Sequence, residues 1–211
     1  MPSSSQNDRK IKAVVFDFGG VIQFWGRGDT IKGVADILNI SKETFQKEYF
    51  KYNHLSNVNN ISFEEMVLGV VKYFDDSKEI QERVKTHLQE ARDARTINHE
   101  LIAFFPELMR QGYQVAIFSN ATSRLREELK VLGIDTLVHE IVISGEIGFQ
   151  KPHKEAFDVL FQRLNVLPEE VVFIDDTPKS LEKADEIGYT PILFKDNAQL
   201  RTELQRLGIK M

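Results

Sequence analysis

Five short apolar runs, each followed by a polar or glycine-containing turn, constrain the fold of this chain most. They are Ala13–Phe16, Val115–Phe118, Glu140–Ile143, Val171–Ile174 and Pro191–Phe194. Runs of this length and composition fit strands buried on both faces of a parallel sheet. Helical patterns separate the later runs. Leu125, Leu129 and Leu132 fall at helical spacing in Ser123–Leu132, as do Phe157, Leu160, Phe161 and Leu164 in Lys154–Leu164. Ser180–Ile187 repeats the pattern with Leu181, Ala184 and Ile187, and Gly188 is placed to stop it. Strand alternating with helix predicts an α/β fold, a three-layer Rossmann-like core with a parallel sheet of five or more strands.

The first two runs stand about a hundred residues apart, too far for one crossover. The stretch between them carries helical patterns such as Phe45, Tyr49 and Tyr52, or Met66, Val67, Val70 and Val71. It predicts a small all-helical cap over residues 23–98, inserted into an α/β core of residues 1–22 and 99–211, with 1–10 a loose leader. Residues 197–208 read as a terminal helix. The 27 basic and 32 acidic side chains give a net charge of −5, without the basic excess of a nucleic-acid binder. No apolar run nears the ~18–20 residues that span a bilayer, and the polar start does not read as a secretory signal. A cytoplasmic protein with neither nucleic-acid nor membrane partner is the expectation. With no cysteine, thiolate metal sites and cysteine nucleophiles are excluded.

In an open parallel sheet, ligands bind beyond the carboxyl ends of the strands. The first run is followed by Asp17, Phe18, Gly19 and Gly20, the second by Ser119 and Asn120, and the fourth by Asp175 and Asp176; Lys151 lies past the third. Neighbouring strand ends thus bring three carboxylates, a hydroxyl, an amide and an ammonium toward one crevice. Carboxylates gathered in this way repel one another unless a cation or a proton intervenes. Oxygen ligands alone suit Mg²⁺, which takes one or two carboxylates plus substrate phosphate. Lys151, Ser119 and Asn120 supply donors for an anion. The chemistry this suggests is phosphoryl transfer to a carboxylate.

Those segments resemble, in order, the four motifs of the haloacid dehalogenase-like superfamily, in its branch with a helical cap. They are VVFDFGGVI, IFSNAT, GFQKPHKEAF and VVFIDDTPKSLEKADEIG, spread over residues 12 to about 194. The resemblance implies a hydrolase with Asp17 as nucleophile, Ser119 as phosphate-binding hydroxyl and Lys151 as the cation that binds phosphate and steadies the nucleophile. It implies Mg²⁺ held by Asp17, the Gly19 carbonyl and the Asp175–Asp176 pair, Asp176 directly and Asp175 as the group that orients the metal shell or Lys151. Asn120 and Gly20 become substrate-binding candidates. Trp25 and Phe24, just after the first motif, fit either the substrate mouth or packing between core and cap. Arg27 is either a partner for a second anionic group or a solvated loop arginine. The implied activity is Mg²⁺-dependent hydrolysis of a small phosphorylated metabolite, for instance a sugar phosphate, through an aspartyl phosphate.

Most phosphatases of this family carry a second Asp two residues after the nucleophile, which protonates the leaving group and then activates water. Here that position is Gly19. General acid–base catalysis supplies ~10²–10⁴-fold, so poor leaving groups suffer most from its absence. Asp29, Glu146 and His54 are the candidates for a substitute. Two alternatives keep the fold: a catalytically weak or inactive binding protein, and a metal-free dehalogenase, which the Asp175–Asp176 pair disfavours.

Overall fold

The computed structural model of the chain describes residues 11–26, 28–59 and 61–210. The expected leader, Arg27 and the side chain of His54 lie outside them. The chain passes through β1 (Ala13–Phe16) and the two-residue β2 (Gln23–Phe24) into four helices: α1 (Thr30–Ile37), α2 (Lys42–Val58), α3 (Phe63–Phe74) and α4 (Lys78–Asp93). It returns through β3 (Thr96–Ile97) and continues through β4 (Gln114–Ser119), β5 (Glu140–Ile143), β6 (Val171–Asp175) and β7 (Thr190–Leu193). Five of these strands make one parallel sheet in the order β5-β4-β1-β6-β7.

Side chains alternate between the two faces of the sheet, as a period of two requires. Val14, Phe16, Val115, Ile117 and Val172 pack on one side with Leu101, Phe105, Leu129 and Leu204 of the helices there. Ala13, Val15, Phe118 and Phe173 pack on the other with Phe157, Leu160 and Phe161 of helix Lys154–Leu164. The result is the three-layer α/β/α core that the apolar runs predict. All four residues of β1 are fully buried, which is why its sequence is apolar without interruption. One expected helix differs: Ser180–Ile187 forms two turns, Pro178–Leu181 and Ala184–Ile187, interrupted where the backbone of Lys183 leaves the helical range.

The cap helices close on a core of their own, including Val34, Phe45, Val67, Val71, Val84 and Leu88. Their starts are fixed by side-chain caps: Asp29 for α1, Ser62 with Glu65 in a capping box for α3, and Ser77 for α4. Each cap contributes about 0.5–2 kcal/mol. The connections to the core are β2 and β3, which pair as an antiparallel ribbon, Gln23 with Ile97 and Phe24 with Thr96. Helix α2 packs against Ser144–Ile147, the turn that follows β5, so the cap lies over the carboxyl ends of the strands. No helix among the described residues is long and apolar enough to cross a membrane.

Candidate active site

The sheet register brings the site together. Phe16 pairs with Ile174 across β1 and β6 and with Ile117 across β1 and β4. One step further, Asp17 donates its backbone N–H to the Ile174 carbonyl at 2.8 Å, level with Asp175 on one side and Phe118 on the other. The strand order grows outward in opposite directions from β1 and β6, so Asp17 and Asp175 flank the switch point where ligands of such sheets bind.

Lys151 ties the strand ends to each other. Its Nζ donates to Asp175 Oδ2 at 2.6 Å and to the Phe118 carbonyl at 3.0 Å, and it lies 2.9 Å from Asp17 Oδ1. The ring faces of Phe173 and Phe118 flank the same ammonium at 4.9 and 5.4 Å from their centroids. Burial works against the charge of Lys151, but the two aspartates outweigh it and hold the pKa above its ordinary value. For Asp17 the balance runs the other way. Burial pushes its carboxyl up to about 6, Lys151 pulls it down, and Asp175 adds to the rise. Asp17 Oδ1 is buried, and the Lys151 ammonium is its polar neighbour.

Ligand atoms from Asp17, Asp175 and Asp176 lie within 4.8 Å of one another. The two aspartates of the pair differ in what holds them. Asp175 is fully buried, accepting from Lys151 on one oxygen and from the Thr177 N–H on the other at 2.8 Å. Asp176 is the accessible member, with a 3.3 Å hydrogen bond from the Thr177 hydroxyl. Crowding by protein and the charge of Asp175 raise its pKa. Three carboxylates grouped in this way, with no sulfur or nitrogen donor among them and one ammonium at their edge, fit a small hard dication such as Mg²⁺.

Gly20 is fitted to this arrangement. Its φ is 79°, and a Cβ there would collide with the Asp176 carboxylate. Gly20→Ala therefore has to displace Asp176 and hold a left-handed alanine, which costs about 1–2 kcal/mol. Divalent-cation binding at the carboxylate group is expected to weaken about tenfold or more, as for other displaced groups around a metal site. Magnesium titration beside a thermal melt reads both quantities.

Asn120 does something different from what its sequence position suggests. Its Nδ2 donates to the Lys151 carbonyl at 3.0 Å, and its Oδ1 accepts the Lys151 N–H at 2.8 Å. Both polar ends of the side chain are engaged in fixing the Lys151 backbone. Asn120→Ala is expected to destabilise the protein by about 1–3 kcal/mol, the penalty for unpaired buried groups, measured by denaturant unfolding. Ser119 is buried at the carboxyl end of β4. Fully buried Ser144, which carries no motif signature, bonds both the N–H and the carbonyl of Ala121 at 3.0 Å and so fixes the loop after β4.

Of the three candidate substitute acids, Asp29 and Glu146 have ion-pair partners of their own, and the side chain of His54 lies outside the described residues. Asp29 caps α1 and pairs with Lys42, whose hydrogen bond lowers its pKa. Glu146 is held by Arg126 at 2.6 and 2.7 Å. Trp25 is 41% exposed and packs beside Phe63 at the start of α3, with ring centroids 5.5 Å apart.

Known proteins share this sequence pattern and fold. Over 98 residues, 46% of the chain, the sequence is 34% identical to the glyceraldehyde 3-phosphate phosphatase of Methanopyrus kandleri, of whose length the match spans 42%. It is 24% identical over 213 residues to the D-ribitol-5-phosphate phosphatase of Bacteroides thetaiotaomicron, covering 92% of the chain and 97% of that protein. A crystal structure of a Bacteroides thetaiotaomicron family enzyme in complex with magnesium and inorganic phosphate has the same fold, with a TM-score of 0.61 at 20% identity over 90% of the chain and 98% of its own. The family profile of the haloacid dehalogenase-like hydrolases matches residues 14–194, so the chain belongs to that family.

Proposed function

We propose that this chain is a Mg²⁺-dependent phosphatase for a small phosphorylated metabolite, with sugar phosphates as the substrate class. The observation that carries the reading is the buried Asp17, paired with the Lys151 ammonium at 2.9 Å and grouped with Asp175 and Asp176 so that one ligand atom of each lies within 4.8 Å of the others. Asp17 attacks phosphorus and the bond to the leaving oxygen breaks, giving an aspartyl phosphate. Water then attacks phosphorus, the bond to Asp17 breaks, and inorganic phosphate leaves. Lys151 and Ser119 hold the phosphoryl oxygens through both steps. With a pKa of about 6, Asp17 is ionised at neutral pH and poorly solvated, as a carboxylate nucleophile needs to be. Asp17, Asp176 and the Gly19 carbonyl would hold Mg²⁺, with Asp175 orienting Lys151; the ion supplies positive charge against the phosphate dianion.

The sugar-phosphate class is supported by the relatives named for glyceraldehyde 3-phosphate and D-ribitol 5-phosphate. The test is hydrolysis of p-nitrophenyl phosphate with and without Mg²⁺, with Asp17→Asn as blank, followed by a panel of sugar phosphates. Metal-dependent turnover lost in the variant supports the reading. Halide release from a haloacid that is insensitive to chelator would replace it with the dehalogenase, and Mg²⁺ binding without turnover with the inactive binding protein.

A further inference from the structure

We infer that Glu128 is a positioning residue that locks both crossings between core and cap to the helix that follows Ser119 and Asn120. Glu128 lies in helix Arg124–Val131, which begins a few residues after Ser119 and Asn120. Its Oε1 accepts from Gln23 Nε2 at 2.7 Å, on the outgoing crossing β2. The same oxygen lies 3.0 Å from Arg95 Nη1, next to the returning crossing β3. Arg95 Nη1 also donates to Gln23 Oε1 at 3.1 Å, so the three side chains form a closed ring.

The ring has a mechanical role because the crossings are otherwise weak. A two-stranded ribbon of two residues per strand has little stability of its own. The crossings also pass close together: a Cβ on Gly26 would collide with the Ala94 carbonyl. Gln23 is buried, and the Arg95 and Glu128 side chains are 25% and 33% exposed, so solvent screens the pair less than a surface bridge. From Arg95 the contacts continue into the cap. Its Nε donates to the Arg92 carbonyl at the end of α4 at 3.1 Å, and its guanidinium lies 5.7 Å over the Trp25 ring, which packs on Phe63 of α3. A shift at Glu128 therefore moves the cap relative to Ser119 and Lys151. Substrates held by both the cap and the phosphate-binding groups need that register; a substrate with little beyond its phosphoryl group does not.

This rests on the phosphatase reading for its kinetic readout alone. The experiment compares Glu128→Gln and Arg95→Met, singly and together, in the intact protein. Steady-state constants are measured with acetyl phosphate and with the fastest sugar phosphate of the panel, and hydrogen exchange is followed in peptides spanning 22–26 and 94–98. Each single variant is expected to raise KM for the sugar phosphate about tenfold, leaving kcat and the acetyl phosphate constants within about twofold. Exchange should quicken in both peptides and stay unchanged in β4 and β6. The double variant should be no worse than the worse single one, and Arg95→Lys should recover part of the loss. Additive effects, an equal loss on acetyl phosphate, or unchanged exchange in the two peptides would overturn the inference. If the wild type hydrolyses neither phosphate, the phosphatase reading fails, while exchange and its non-additivity still decide the role of Glu128.

Discussion

With Asp17→Asn, hydrolysis of p-nitrophenyl phosphate is expected to fall by at least about 10⁴-fold, as for other lost nucleophiles, while the metal-free protein becomes more stable. The loss follows from chemistry: an amide oxygen does not form the aspartyl phosphate. The gain follows from the environment of Asp17. Its pKa is raised from 3.8 to about 6, chiefly by burial, so the folded state binds the proton more tightly than the unfolded state. Its contribution to stability is therefore full below the unfolded value near 3.8 and is lost as pH rises through about 6. At neutral pH the native protein holds a charged carboxylate where a neutral group would be better solvated. Removing that charge is worth on the order of 1–3 kcal/mol, and Lys151 keeps Asp175 as its counter-ion. The melting temperature should rise by roughly 2–10 °C at pH 7, a gain that shrinks between pH 6 and pH 4. Mg²⁺ at about 100 times its dissociation constant should add ~2.7 kcal/mol to the wild type and little to the variant. A melting temperature that falls at pH 7 would show that Lys151 loses more than burial of the charge had withheld.

The sequence carries the sheet and the motif residues because strand ends are local: each apolar run stops where a polar residue stands. The runs at β1 and β5 match the strands, while β4 is one residue longer than its run at each end, β6 is one residue longer at its carboxyl end, and β7 is shifted by one. What the sequence does not carry is pairing between distant residues. The ribbon of β2 and β3 is too short to leave a periodic signal. Phe118 and Phe173 look like ordinary core, and only the β4-β1-β6 order turns their faces toward Lys151. Asn120 stands in a phosphate-binding motif, yet its side chain is bound to a backbone 31 residues away. Gln23, Arg95 and Glu128 belong to no motif and meet only because the cap returns beside its exit.

Gly19→Asp is expected to raise kcat/KM on alkyl phosphates by about 10- to 100-fold, the lower part of the range for general acid–base catalysis. A Cβ at residue 19 meets nothing within 4 Å, and its φ is outside the left-handed region, so the turn accepts a side chain without strain. The contrast with Gly20 is sharp, since there the same addition collides with Asp176. Two of the candidate substitutes are already engaged, Asp29 by Lys42 and Glu146 by Arg126, so neither is free to compete with an added carboxylate. The gain should depend on the leaving group. An alkoxide needs a proton as the phosphorus–oxygen bond breaks, whereas p-nitrophenolate leaves without one. The ratio of alkyl to p-nitrophenyl turnover should therefore rise, and Gly19→Asn, of similar size but without the acid, should leave it unchanged. Equal gains on both substrates would mean that hydrolysis of the aspartyl phosphate limits turnover and that the new carboxylate acts there as a base on water. No gain on either, with Mg²⁺ affinity retained, would mean that position 19 does not face the leaving group, and the small turn that follows Asp17 would then have to be selective by shape alone.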